Sequence, residues 1–186
     1  MCHIARFLLS YIIEGTVALG NKRERHKNMS YKKNAAIVKK YLDDNDWNYE
    51  EQELGKTVAY KGGIGGLAEE GGVFDSYNFV LLVGEETVQS YAVMPTSAKS
   101  KLAEVAEFIT RANYGMWFGN FDLDYSDGEV RFHICFPACV LQNDLEDSLN
   151  FMITGGVLML NKYARGYMKV IMGDITPEAA IKEIEG

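Results

Sequence analysis

The sequence predicts an α+β domain: an antiparallel sheet of about five strands with helices packed on one face. The clearest evidence is the segment 112–137, where two stretches of strict apolar–polar alternation meet at a turn around Asp127 and Gly128. A period of two residues is typical of strands with one buried and one wet face, and the turn makes the pair a hairpin. Segments with helical spacing of apolar residues surround the strands, which favours helices segregated from an antiparallel sheet.

The predicted elements follow the order α-β-β-β-α-β-β-α-α. The helices are predicted at residues 30–44, 98–113, 143–172 and a short segment after Thr176, and the strands at residues 47–53 with a continuation at 57–60, at 73–83, at 87–94 and in both halves of the hairpin. Residues 79–83 are all apolar, which favours a central strand covered on both faces. Thr96 or Ser97 is the expected N-cap of the second helix.

The hairpin turn determines which charges face each other. With a two-residue turn at 127–128, Asp124 lies opposite Arg131 and Asp122 lies opposite His133. Opposite charges across a strand pair contribute about 0.2–1 kcal/mol each. We therefore interpret these side chains as charge partners on the wet face, and favour this over a metal or acid–base site built on the two carboxylates.

Two groups of glycines stand out. Gly155 and Gly156 lie inside the third predicted helix, where each glycine costs about 1 kcal/mol relative to alanine, so we expect a kink, a break or the close approach of another element. The segment 61–72 holds six glycines but lacks the Gly-Lys-Ser/Thr end of a phosphate-binding loop, and Glu69 and Glu70 would repel phosphate. We predict a flexible loop there, of a kind that is able to clamp a peptide.

Charge and cysteine content narrow the class of function. The chain carries a net charge of −7; its first 28 residues carry +3, which leaves −10 for the remainder. Such an acidic domain repels phosphate backbones, so we expect no nucleic-acid partner, and the sequence predicts no membrane partner either. Three cysteines at positions 2, 135 and 139 do not form a disulfide framework and fit a reducing cytoplasm.

The N-terminal segment differs from the rest of the chain. Codons for residues 22–25 (Lys-Arg-Glu-Arg) are able to form a purine-rich ribosome-binding sequence, and Met29 follows three codons later. We therefore expect Met29 to be the natural start, so that residues 1–28 are translated leader. We predict a single α+β domain at residues 30–186, preceded by a leader at 1–29 that is non-native or disordered. The alternative is a short amphipathic or membrane-anchoring helix in the apolar run at 1–20.

The chain resembles the YbjN family. The marks are a helix ending in Asn113, the segment 119–121 entering the alternating strand, the turn at 127–128, the return strand 130–132 and the closing segment 170–181. The resemblance covers residues 30–185. It implies a fold like that of the type III secretion chaperones, a bacterial sensory transduction regulator, and a protein-binding domain that is often dimeric and has no established catalytic centre.

No catalytic constellation stands out in the sequence. His3 and His26 lie in the predicted leader, the serines lack a nucleophile-elbow context, and Asp122, Asp124 and Asp127 depart from a calcium-loop pattern. We therefore expect no enzyme activity, no cofactor and no metal site. The alternative is a small-ligand binder or an unrecognised enzyme.

A protein-interaction surface is the favoured functional prediction. Three consecutive large apolar residues precede the hairpin, and they cannot all face one core; methionines on the long helix add an adaptable surface. The candidate residues are Met116, Trp117, Phe118, Met152 and Met159. We expect them to bind an unidentified protein, as a chaperone-like or regulatory adaptor, or a second copy in a homodimer. The competing interpretation is plain core packing.

Overall fold

An antiparallel sheet of six strands lies at the centre of the fold. In chain order the strands are β1 (Tyr49–Leu54), β2 (Thr57–Ile64), β3 (Tyr77–Val83), β4 (Thr87–Val93), β5 (Asn120–Leu123) and β6 (Val130–Pro137). Their order across the sheet is β1-β2-β3-β4-β6-β5, so β1 and β5 are the two edges. This computed structural model describes residues 30–186; the predicted leader at 1–29, and its alternative as a helix, lie outside the described residues.

Helices flank the strands in the predicted order. They are α1 (Tyr31–Asp44), α2 (Leu102–Tyr114), the short α3 (Val140–Asn143) and α4 (Leu145–Asn150), a π-helical turn (Phe151–Gly155), α5 (Gly156–Met172) and α6 (Pro177–Glu185). The α+β prediction is confirmed, with one strand more than expected. Residues 57–64 do not continue β1 but turn back and pair with it, because Gly55 adopts a φ of +64° between them.

The helices pack on one face of the sheet. Tyr60 donates a hydrogen bond from its buried hydroxyl to the Ala35 carbonyl of α1 (2.9 Å), and Ser90 donates one to the Met152 carbonyl of the π-helical turn (2.7 Å). Asn34, fully buried in α1, donates to the Gly84 carbonyl (2.8 Å) and so ties that helix to the β3–β4 turn. These bonds pair the Tyr60 and Ser90 hydroxyls and the Asn34 side-chain nitrogen, whereas the buried Asn34 Oδ1 has no hydrogen-bond partner among the described residues.

The prediction that both faces of β3 are covered is wrong. Phe79, Leu81 and Val83 are fully buried on the helix side, whereas Val80 and Leu82 on the other face are partly exposed. The strand is nevertheless central, since β2 and β4 pair with its two edges. Neighbouring strands shield these two side chains in part, which is enough to make an apolar residue acceptable there.

Several predicted boundaries shift. β2 extends to Ile64 and β3 begins only at Tyr77, so the glycine-rich loop is shorter than predicted at its start and runs on past Gly72. Gly62 belongs to β2, where a Cβ atom would lie 2.6 Å from the Phe79 ring, so glycine is required for strand packing. The predicted N-cap of α2 is wrong as well: α2 begins at Leu102 after Lys101, which makes no side-chain capping bond.

The predicted register of the hairpin is wrong by two residues. Asp122, not Asp124, lies opposite Arg131, and Asn120 lies opposite His133. The connection is longer than two residues because the 97–99 segment holds it: Ser97 donates a hydrogen bond to the Asp127 carbonyl (2.6 Å), and Ala98 donates to the Gly128 carbonyl (2.7 Å). A shift of two residues keeps every side chain on its predicted face.

The long predicted helix is interrupted where its two glycines lie. The π-helical turn ends at Gly155, and α5 begins at Gly156, where a Cβ atom would lie 3.3 Å from the Cβ of Ala92 on β4. The predicted interruption and close approach are therefore confirmed. The predicted end of the helix at Gly173 is also confirmed, by a φ of +80°, and Thr176 caps α6 by accepting a hydrogen bond from the Ala179 amide (3.2 Å).

Two glycines between α2 and β5 provide a matched test of this local geometry. Gly119 has a φ of +66°, and a Cβ atom there would lie 2.4 Å from the His133 carbonyl oxygen; nothing lies within 4 Å of a Cβ atom at Gly115. We expect Gly119→Ala to lower the free energy of unfolding by about 2 kcal/mol or more, from backbone strain and the clash. Gly115→Ala should change it by about 0.5 kcal/mol at most. Equal effects in urea denaturation would contradict the assigned geometry.

Candidate functional site

An apolar groove lies beside the connection from α2 to β5. It encloses about 550 Å³. Residues of the 115–118 connection form one wall, the π-helical turn and α5 form the other, and Phe132 and Ile134 of β6 contribute from the sheet. The lining residues, here called the apolar groove, are Gly115, Met116, Trp117, Phe118, Phe132, Ile134, Phe151, Gly155, Leu158, Met159, Lys162, Tyr163 and Glu185.

Four of the five predicted interaction residues come together in this groove. Met116, Trp117 and Phe118 line one wall, and Met159 lines the other.

Met152 does not reach the surface: its side chain is 0% exposed in the core, so its assignment to an interaction surface is corrected. It falls on the same helical stripe as Leu149 and Ile153, which packs inward.

The groove is bordered by large apolar side chains in contact with solvent. Trp117 is 87% exposed, Phe118 59% and Leu158 57%. The Phe118 ring meets the Phe151 ring edge-on with centroids 5.4 Å apart, and Phe151 stacks on Phe136 at 6.2 Å. A contiguous set of exposed apolar side chains is typical of a binding surface, whereas single exposed ones are ordinary.

Local backbone geometry produces the groove. The π-helical turn places Met152 and Ile153 in the core while Phe151 stays at the surface. On the opposite wall, the positive φ of Gly119 turns the chain from the exposed 115–118 segment into β5. Gly115 and Gly155 also line the groove, and the absence of side chains at these two positions leaves more room in it.

Polar groups in the groove are few. Tyr163 donates a hydrogen bond from its hydroxyl to the Glu185 carboxylate, and the Lys162 ammonium lies 5.3 Å from the Tyr163 ring centroid. Burial raises the pKa of Tyr163, and the hydrogen bond to Glu185 raises it further, so the hydroxyl remains protonated near neutral pH. This arrangement is suited to binding apolar groups and offers no activated nucleophile.

The sheet edge beside the groove is closed by a side chain. The Asn113 amide donates a hydrogen bond to the Phe121 carbonyl (2.9 Å) and accepts one from the Phe121 amide (2.7 Å). Phe121 lies opposite Phe132 of β6, but its amide and carbonyl bond to Asn113 and therefore point away from β6, toward the free edge. Asn113 therefore occupies the position that an added strand would take.

A second cluster lies on the open face of the sheet. The His133 ring stacks on Tyr91 (4.6 Å between centroids), and the Arg131 guanidinium lies 4.3 Å from the same ring. Asp122 lies close to both side chains: its carboxylate is 3.3 Å from Arg131 Nε and 3.7 Å from His133 Nδ1. His133 Nε2 is buried and has no hydrogen-bond partner among the described residues.

Residues 30–186 show neither a cluster of metal ligands nor a membrane-spanning helix. In this part of the chain, no three His, Cys, Asp or Glu side chains are grouped so that they are able to hold a metal ion. None of the helices described is both long enough and apolar enough to cross a membrane.

The match to a known family fits this fold. Residues 34–151 match the model of the YbjN family, described as "Putative bacterial sensory transduction regulator". This chain belongs to the YbjN family. The match runs from α1 to the first residue of the π-helical turn, so the closing segment 170–181 and the α5 wall of the groove lie outside it. Among curated proteins, no match was found.

Sequence reasoning missed several residues of the groove in this YbjN domain. Leu158 gave a weak signal, since it is apolar but lies off the buried stripe of α5. No sequence pattern pointed to Lys162, Tyr163 or Glu185, because only the packing of α5 and α6 brings them beside the 115–118 connection.

The edge-closing role of Asn113 is testable. Asn113→Ala leaves the Phe121 amide without its partner, and leaves the Phe121 carbonyl with only a long bond from the Asn120 side chain (3.4 Å), so we expect the free energy of unfolding to fall by about 1–3 kcal/mol. Asn143→Ala is the matched control: it removes one exposed hydrogen bond to the Cys139 carbonyl and should change stability by about 0.5 kcal/mol at most. Similar losses in both variants would rule out a special role for Asn113.

The His133 cluster predicts a pH dependence of stability. Burial lowers the pKa of His133; Asp122 opposes this effect and Arg131 adds to it. The folded state therefore favours the neutral imidazole. The contribution of this group to the free energy of unfolding is complete above the usual histidine pKa of 6.5 and declines as the pH falls below that value. We expect the free energy of unfolding to decrease on acidification from about pH 7.5 to about pH 5.5. His133→Gln should reduce this slope, and an unchanged slope would contradict the assignment.

Proposed function

We propose that this YbjN domain is a non-catalytic regulatory adaptor that binds another protein through its apolar groove, in the manner of a chaperone. The observation that carries the proposal is the exposure of Trp117, Phe118 and Leu158 around a groove of about 550 Å³. Burying apolar surface contributes about 25 cal/mol per Å², so covering these side chains supplies a substantial driving force. The family description as a regulator supports the same role.

The chemistry of the groove supports binding in preference to catalysis. Its ionisable groups are Lys162, Tyr163 and Glu185, and Tyr163 is held protonated by burial and by its bond to Glu185. Acid–base catalysis favours groups whose pKa is shifted toward neutrality, and the pKa of Tyr163 is shifted away from it. We also propose a cytoplasmic location, since Cys135 and Cys139 are both free thiols.

A homodimer is the second candidate use of this surface. Trp117 projects from the domain with 87% of its surface exposed, and a self-complementary interface would bury such a side chain in two copies at once. Light scattering on the full chain distinguishes the candidates: a dimer mass that Trp117→Ala reduces to a monomer mass supports self-association through this surface.

The groove residues predict which variants lose the partner. We expect Trp117→Ala and Phe118→Ala to reduce capture of a stoichiometric partner from host lysate by about tenfold, which corresponds to about 1.4 kcal/mol. Both side chains are mostly exposed, so each variant should retain stability within about 0.5 kcal/mol. Tyr125→Ala removes another exposed aromatic that does not line the groove, and it should leave capture unchanged.

Three outcomes would count against this proposal. Equal capture by all three variants would remove the groove from the interaction. Unfolding of Trp117→Ala would show that the side chain serves the core. A small molecule retained in the groove, seen by native mass spectrometry and lost from Phe118→Ala, would favour a ligand-binding protein.

A further inference from the structure

We propose that the occupant of the apolar groove is an amphipathic helix of a partner protein, with Lys or Arg residues bordering its apolar face. The inference rests on the proposed function and specifies the partner's chemistry. It depends on three features: the scarcity of polar groups in the groove, the closed edge of β5, and the negative charge of the domain.

The lining of the groove favours a helix over an extended segment. The side-chain polar groups that line it come from Trp117, Lys162, Tyr163 and Glu185. The Trp117 indole supplies a single donor, and the Tyr163 hydroxyl is already bonded to Glu185. An extended peptide would bury most of its backbone amides and carbonyls there without partners, which opposes binding. A helix satisfies these groups internally and presents only its side chains to the groove.

The edges of the sheet also favour a helix over an added strand. Asn113 already bonds the outward-facing amide and carbonyl of Phe121, and β5 is only 4 residues long, so an added strand has no free edge beside the groove. The other edge, β1, lies at the far side of the six-stranded sheet. A strand paired with β1 would not reach Trp117 or Phe118.

Charge selects the residues that flank the apolar face of the partner. Residues 29–186 carry a net charge of −10, and Glu185 places a carboxylate on the groove itself. The C-terminal end of α2 at Tyr114 is followed by Gly115 in the groove wall, so the negative end of that helix dipole lies beside the groove. Lys162 is the one basic lining residue and balances the charge of Glu185, so the preference for basic partner residues rests on the remaining negative charge of the domain and on the end of α2.

Synthetic peptides test the inference on the full chain. The probe is a Leu/Lys amphipathic helix of about 18 residues, or five turns. The first control keeps its composition but places a proline at the centre, which breaks the helix. The second keeps the leucines and replaces each lysine with glutamate. We expect the Leu/Lys peptide to bind about tenfold tighter than either control in fluorescence anisotropy.

Protein variants separate local from overall charge. Glu185→Gln and Glu50→Gln change the net charge equally, but Glu185 lines the groove and Glu50 lies on β1. We expect Glu185→Gln to reduce the preference for Leu/Lys over Leu/Glu, and Glu50→Gln to leave it unchanged. Trp117→Ala should weaken binding of both helical peptides.

Each result bears on a different claim. Equal binding of the proline peptide overturns the helix assignment, and equal binding of the Leu/Glu peptide overturns the charge assignment; in both cases the proposed function stands if Trp117→Ala still weakens binding. Binding that is indifferent to Trp117→Ala removes the groove and, with it, the proposed function. A dimer whose interface excludes every peptide overturns the inference in favour of a second copy of the chain.

Discussion

The packing of α5 on the sheet at Gly156 is the constraint on which the rest of the structure depends. A Cβ atom at this position would lie 3.3 Å from the Cβ of Ala92, a tight contact, so glycine allows the helix backbone to lie this close to β4 without a shift of either element. The π-helical turn directly before it orients Met152 and Ile153 into the core and leaves Phe151 at the rim. Core packing and groove therefore share one origin: the helix that closes the core also supplies a wall of the binding surface.

Periodic patterns predicted the parts of the fold that depend on local sequence. The two faces of the β5–β6 hairpin follow from alternation, and the end of α5 follows from Gly173. The register did not follow, because Ser97 and Ala98 hold the connection through contacts distant in sequence. Gly155 and Gly156 predicted an interruption of the long helix. Whether it would be a kink or a π-helical turn depended on how the helix fits against Ala92.

The candidate site was predictable on one side only. Three consecutive large apolar residues marked the Trp117 wall, since a single core cannot bury all of them. The opposite wall depends on tertiary packing, because Leu158, Tyr163 and Glu185 come together at the groove only when α5 and α6 pack. Met152 shows the limit of composition, because a flexible apolar side chain on a helix suits a core as well as a surface, and here it is buried.

Site-specific cross-linking in living host cells tests the central claim most directly, namely that another protein covers the groove. A photo-reactive phenylalanine analogue would replace Trp117 in the full chain, and the same analogue at the exposed Tyr125 would serve as the reference. The account predicts a defined adduct from position 117, attached within an amphipathic basic segment of one partner, and none from position 125. The absence of an adduct at 117, or the same adducts from both positions, would contradict it.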